Sequence, residues 1–280
     1  MKYVPLFITL FVCVFANAQA LIVATDLDLK NPEHKQQFLQ VKHPDSNEFF
    51  VFASDKTDFY ALRFNGALFY RDSLKTARPA NDVDFLAGSS FDAKGNPATY
   101  WVSEDYSTIR STIFDFESRL INTALFKIDY KEQYFIGSFS TDGKFYIITT
   151  REDQDRLNFY VFTGGLMHES SVAIDIVFRK EQNQISFGKL LAQYPPEHID
   201  NRLLTPLFYA TPKIKFYTSN KKLLFTFDHE LHQTQVVSVD LDSFESASSA
   251  IPNETLASGP GESNSFVSGE LLYQLKANDT

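Results

Sequence analysis

Sulfur and indole are scarce in this chain: 280 residues hold one Cys, two Met and one Trp. The single thiol, Cys13, lies in an apolar run at the N-terminus, so a chain that loses that run keeps no thiol. Disulfide bonding, thiolate catalysis and cysteine zinc sites are then excluded. Basic blocks are also missing. With 26 Lys plus Arg against 35 Asp plus Glu, and no cluster of the former, the chain has no positive stripe to displace counterions from phosphates, which argues against a nucleic-acid partner. Past residue 20 no stretch is apolar enough to span a bilayer, so an integral membrane protein is not expected. Walker A, Gly-x-Gly-x-x-Gly, His-Glu-x-x-His and Gly-x-Ser-x-Gly patterns are all absent, and no cofactor is expected.

What is present begins with Lys2, an apolar run from Val4 to Ala16, and small residues at Ala16, Ala18 and Ala20. This is the pattern of a secretory signal peptide over residues 1–20, too short and too interrupted by Pro5, Asn17 and Gln19 for a membrane span. Its removal leaves 25 positive and 35 negative side chains, a net charge of −10. A secreted or periplasmic location is expected for residues 21–280.

Polar turns recur between apolar runs, centred on Asn47, Gly95, Gly143, Asn220 and Gly269. Their spacings are 48, 48, 77 and 49 residues, and the long one equals one repeat plus an insertion of 29. Each of the first four turns is followed by a β-rich run (FFVFA, ATYWV, FYIITT, LLFTF), a charged loop and a second such run (FYALRF, TIRSTIF, LNFYVF, TQVVSV). Short segments rich in Phe, Tyr, Val and Ile between Gly, Asn and Asp are strands. Further turns fall at Asn65-Gly66, Asp115 to Ser118, Gly164-Gly165 and Asp240 to Ser243, the first having the composition of a two-residue hairpin turn. The spacing predicts an all-β fold: a β-propeller of four-stranded antiparallel blades, four full and a partial fifth. Stacking of blades would bury the 25 Phe that remain after signal removal. The competing reading is a β-sandwich. Only one strand, Glu270 to Lys276, follows the fifth turn, so either the last blade is incomplete or the chain is part of a longer protein. Leu21 to Asp28 could supply one further strand.

The stretch Ser138-Phe139-Ser140-Thr141-Asp142-Gly143-Lys144-Phe145-Tyr146-Ile147-Ile148 resembles the F-S-x-D-G-K turn of the TolB-like, or WD40-like (PD40), propellers, and Phe49 to Phe64 is similar to their second and third strands. The fourth unit has Ser219-Asn220-Lys221 where that family has Asp-Gly-Lys, and no Trp-Asp dipeptide occurs. The resemblance implies a periplasmic interaction module, a part of an envelope protein with other domains, or the gating propeller of a prolyl-oligopeptidase-type serine peptidase.

In the insertion, about 179–206, Val172 to Phe178 alternates apolar and polar residues and is expected to pair with Ile185 to Tyr194, ahead of an irregular Pro-rich loop to Pro206. Asp228-His229-Glu230-Leu231-His232 is the nearest approach to a metal-ligand cluster. On a strand its two imidazoles would point to opposite sides, so a solvated polar loop is expected and no metal site. The charged loops between second and third strands would emerge at one end of the propeller. They carry Asp55, Asp58, Glu104, Asp105, Glu152, Asp153, Asp155, Asp228 and Glu230 against Lys56, Arg151 and Arg156, which is −6 of the −10. The leading functional expectation is a non-catalytic binding module that meets a protein or cationic small ligand through this acidic loop face. The second is the N-terminal gating propeller of a serine peptidase whose catalytic domain lies beyond residue 280.

Overall fold

The computed structural model describes residues 27–30, 35–180, 183–200, 211–219, 221–253 and 261–278. The expected signal peptide, residues 21–26, most of the irregular loop and the centre of the fourth turn lie outside these. Among the described residues, four sheets follow one another along the chain, each with its strands in sequence order, three of them antiparallel and four-stranded and the fourth adding a short parallel strand to four antiparallel ones. The first holds β1 (Gln37–Lys42), β2 (Phe49–Ser54), β3 (Asp58–Phe64) and β4 (Tyr70–Ala77); the second holds β5 (Phe85–Phe91), β6 (Pro97–Val102), β7 (Thr108–Asp115) and β8 (Leu120–Lys127). The third contains β9 (Gln133–Thr141), β10 (Lys144–Arg151), β11 (Arg156–Thr163) and β12 (Leu166–Ala173). After the hairpin β13 (Phe178–Lys180) and β14 (Asn183–Ile185), helix α1 (Phe187–Gln193) and the short β15 (Glu197–Ile199) comes the fourth sheet, of β16 (Ile214–Ser219), β17 (Lys222–Phe227), β18 (Gln233–Asp240) and β19 (Ser246–Pro252). The chain then forms a lone hairpin of β20 (Gly261–Ser268) and β21 (Leu271–Asn278).

The sheets stack face to face because their central strands are apolar on both faces. β6 is buried at every position. Its Trp101 joins Phe52, Phe59 and Phe114 between the first and second sheets, while Tyr100 and Val102 join Phe145, Ile147 and Phe162 between the second and third. β10 repeats the device: Phe145 and Ile147 face the second sheet, Tyr146 and Ile148 the fourth. Period-two alternation thus sends each strand's side chains into two different cores. The pairings are aromatic, with Tyr100 stacked on Phe145 at 5.0 Å and Phe59 edge-on to Trp101 at 5.3 Å. Arg78, in the link between the first two sheets, lays its guanidinium 4.7 Å from the Trp101 ring centroid and donates to the Lys35, Asp55 and Asp84 carbonyls.

The turn between first and second strands of one sheet touches that of the next. A methyl on Gly95, at φ +83°, would fall 2.8 Å from His43 Nε2, and Lys221 pairs with Asp142 at 3.1 Å. His43 rests on Phe91 at 4.6 Å. A methyl on Gly269, which turns β20 into β21, would meet no other described residue within 4 Å.

Two expectations are corrected. Asn65-Gly66 is not a two-residue turn: the connection runs from 65 to 69, with Asn65 Oδ1 accepting from the Ala67 and Phe69 N–H groups and Leu68 taking the positive φ. In the insertion, Phe178 pairs with Ile185, but the residues after Ile185 form a helix, and Val172 belongs to β12. Ser186 is the reason, its Oγ capping the Lys189 N–H while Phe187, Leu190 and Leu191, at helical spacing, enter the core between the third and fourth sheets. Gly188 lies so close to the Arg151 carbonyl that a Cβ there would overlap its oxygen. Among the described residues no helix is long and apolar enough to cross a membrane.

Candidate functional site

The loops joining second to third strands hold the nine acids, and eight of these accept hydrogen bonds from their own surroundings. Asp55 is fully buried; its carboxylate takes the N–H groups of Lys30, Thr57 and Asp58. Burial pushes this carboxyl up, yet the backbone donors from Lys30, Asp58 and Thr57 outweigh it and hold the pKa at about 2. Asp58 meets Lys30 and Lys75, each at 3.2 Å, and the Lys30 ammonium is the main cause of its lowered pKa. Asp105 is lowered by the Ser103 hydroxyl and then by Ser107. Glu152 accepts from the Tyr134 hydroxyl, Asp153 from Arg151, Asp155 from the Phe187 N–H at the start of α1, and Glu230 from Gln233. Asp228 is buried at 1 % exposure and takes Ser265 N–H and Oγ, Thr234 Oγ1 and Lys215 Nζ.

Asp55 and Asp228 are therefore interior groups that shape their loops and cannot touch a partner. Glu104, Asp105, Glu152, Asp153 and Asp155 are exposed, and Asp58 and Glu230 are partly so. Composition could not separate the two sets, since an Asp whose carboxylate is consumed by backbone N–H groups reads the same as one facing water.

The solvated-loop expectation for residues 228–232 is also corrected at His229. Its side chain is only 3 % exposed, packed near Phe178, Phe227 and Tyr194, with Nε2 3.1 Å from the Arg179 carbonyl oxygen. Burial lowers its pKa against the opposing pull of Glu230, so the ring is neutral near pH 7. His232 is exposed, and the two imidazoles do not converge on a common site. Among the described residues no three His, Cys, Asp or Glu side chains gather as a metal site.

The structure brings together a second set of residues, of which Ser138 to Gly143 stood out in the sequence as a turn and not as a site. The first strands of three sheets, β1, β5 and β9, with β15 beside them, wall a cleft of about 580 Å³, within the range of ligand sites. Leu39, Val41 and Phe139 give it an apolar side; Gln40, Lys42, Ser89, Ser138, Ser140 and Thr141 give it a polar one. Ser140 Oγ accepts the Ser89 N–H at 2.9 Å, and Ser138 Oγ donates to the Tyr106 hydroxyl at 3.2 Å. Pro44, Asp142 and Gly143 carry the wall to the end where the Gly and Asn turns lie, opposite the acidic loops. His198, stacked on Phe216 at 4.5 Å, and Asp200 contribute from the insertion. The available sequence signal was the alternating Ser-Phe-Ser-Thr before Asp142, which places hydroxyls and an aromatic ring along one inner strand.

No family model and no curated protein matches the chain. Among solved structures it is similar to a mutant of the Synechocystis apocarotenoid oxygenase, at 8% identity and TM-score 0.36 over 78% of this chain and 48% of that one. AofleA from Arthrobotrys oligospora matches at 12% identity and TM-score 0.36 over 82% and 60%, and a puromycin hydrolase mutant complexed with PGG at 9% and 0.32 over 83% and 41%. The chain spans about half the length of these structures. Likeness at this level assigns no family and carries no activity across.

Proposed function

We propose that the chain is a TolB-like β-propeller binding module, four blades and part of a fifth, which works outside the cytoplasm after loss of residues 1–20 and holds an extended segment of another protein in the cleft between its inner strands. The observation that carries the reading is β15. This three-residue strand from the insertion pairs in parallel with the inner edge of β16, Glu197 beside Lys215 and Ile199 beside Tyr217, while its central His198 and the following Asp200 line the cleft. The chain thus performs on itself the strand addition that an edge strand offers to a partner, in which backbone hydrogen bonds give affinity and side-chain pockets give selectivity. β1, β5 and β9 are edge strands on the same cleft. The propeller assignment is supported by the successive stacking of the four sheets and by the adjacency of their first strands. The exposed acids at the opposite end add long-range attraction for basic partners.

The test uses an array of unstructured peptides of varied sequence, read by binding to the purified protein. Gln40, exposed on β1, is replaced by Trp to fill the cleft without touching a core. Loss of peptide binding at unchanged melting temperature supports the cleft; binding that survives Gln40→Trp and falls only when Glu104 and Asp153 are neutralised moves the contact to the acidic loops. N-terminal sequencing of the exported protein should begin at Leu21.

A further inference from the structure

Among the described residues the last two strands differ from the four larger sheets: β20 and β21 form a two-stranded sheet, where each of those has four antiparallel strands in order, the fourth with β15 added. One face of β21 is apolar and open, with Leu271, Tyr273 and Leu275 exposed at 60, 56 and 71 %. Side chains of this size at alternate positions on an edge strand form a surface that asks for another strand.

The sequence of that edge specifies which strand. Read from residue 270, it is Glu-Leu-Leu-Tyr-Gln-Leu-Lys. About Tyr273 this is self-complementary in antiparallel sense: Leu271 falls opposite Leu275 of a second copy, Tyr273 opposite its own equivalent, and Glu270 opposite Lys276. Backbone geometry selects the same register. The two-residue turn at 269 and 270 closes on Ser268 and Leu271, which makes that pair and every second one after it hydrogen-bonded within the hairpin. The amide and carbonyl groups of Leu272 and Gln274 then point to the open edge. A two-fold axis through Tyr273 sets Leu272 opposite Gln274 of the second copy, so the outward groups meet each other, and the apolar residues fall at the narrow positions where side chains approach most closely.

We propose that β21 is the homodimerisation edge of this protein, two hairpins joining across a two-fold axis at Tyr273 into one four-stranded antiparallel sheet. Such an interface is isologous, the same strand serving both sides. The inference is independent of what the cleft binds.

Charge reversal tests the register. Sedimentation velocity over a concentration series should show a monomer–dimer equilibrium for the unmodified protein. Glu270→Lys and Lys276→Glu should each weaken it about tenfold, since each puts like charges at both ends of the paired strands. An equimolar mixture of the two variants should dimerise again, because every charged pair is then restored. Backbone amides of Leu272 and Gln274 should exchange more slowly as concentration rises. A protein that stays monomeric throughout, a dimer indifferent to both reversals, or amide protection independent of concentration, which would mean that another segment of the same chain occupies the edge, each overturns the proposal.

Discussion

Lys215 Nζ lies 3.3 Å from Asp228 Oδ2 with neither side chain exposed, so an ion pair sits where the fourth sheet meets the β20–β21 hairpin, alongside the edge-on contact of Tyr217 with Phe266. Ser265 donates to the same carboxylate through both N–H and Oγ, and Asn264 Oδ1 takes a second bond from Lys215 at 2.6 Å. Burial lowers the Lys215 pKa, and the adjacent carboxylate opposes that shift. Removing one partner leaves a buried charge behind, whereas removing both leaves none. Lys215→Met is expected to lower stability by ~3–5 kcal/mol, and Lys215→Met combined with Asp228→Leu by less than either single change. Urea titration of the three variants checks this; equal losses in all three would show that the pair is not coupled.

Asp55 predicts a pH dependence of fixed sign. Its folded pKa of about 2 is below the ordinary 3.8, so the stabilisation is fully present above pH 4 and is lost as pH falls toward 2. Asp55→Asn should be less stable than the unmodified protein at pH 7, and the gap between them should narrow steadily below pH 4. Thermal melts at a series of pH values test this, and a gap constant with pH would remove Asp55 from the acid response.

The acidic loops divide into two groups under substitution. Glu104→Gln and Asp153→Asn should change stability within ~0.5 kcal/mol, while Asp55→Asn should cost ~1–3 kcal/mol, because its backbone donors lose their charged acceptor, and Asp228→Asn ~3–5 kcal/mol, because it also leaves the Lys215 charge buried without its partner. Any basic partner that uses the exposed set should bind more weakly as salt rises. Paired measurements of melting temperature and of affinity against ionic strength distinguish the two groups.

Arg78 is expected to tolerate no lysine. An ammonium keeps the charge but cannot span three carbonyls or lie flat on the Trp101 ring, so Arg78→Lys should cost ~1–3 kcal/mol. Denaturant midpoints measure the loss.

Gly188→Ala should lower the melting temperature despite the better helix propensity of alanine, since its Cβ has no room beside the Arg151 carbonyl. A neutral or stabilising result would mean that α1 can lift away from that loop.

The strands were legible because Phe, Tyr, Val and Ile cluster between turns whose spacing repeats, and FYIITT or LNFYVF can satisfy both faces of a sheet in no other way. The helix was not: FGKLLAQY alternates as plausibly as it winds, and the decision lies with the Ser186 cap and with the core that receives Phe187, Leu190 and Leu191. The acidic loops were legible as loops and not as structures, because Asp55 and Asp228 differ from Glu104 only in what surrounds them. The cleft was not legible as a site: Ser138 to Gly143 stood out only as a strand and turn, and the strands that wall the cleft lie some fifty residues apart, with hydroxyl groups that have meaning only side by side.

Trp101 is the only tryptophan in the chain, sealed beneath Arg78 and against Phe59 in the seam of the first two sheets. Its emission is therefore a gauge wired to one joint of the molecule. A fluorescence melt follows the parting of those two sheets and stays blind to the fraying of the β20–β21 hairpin at the far end. Circular dichroism, which sums over all strands, would register both. The interval between the two curves measures how far the repeats come apart one at a time, with no label added.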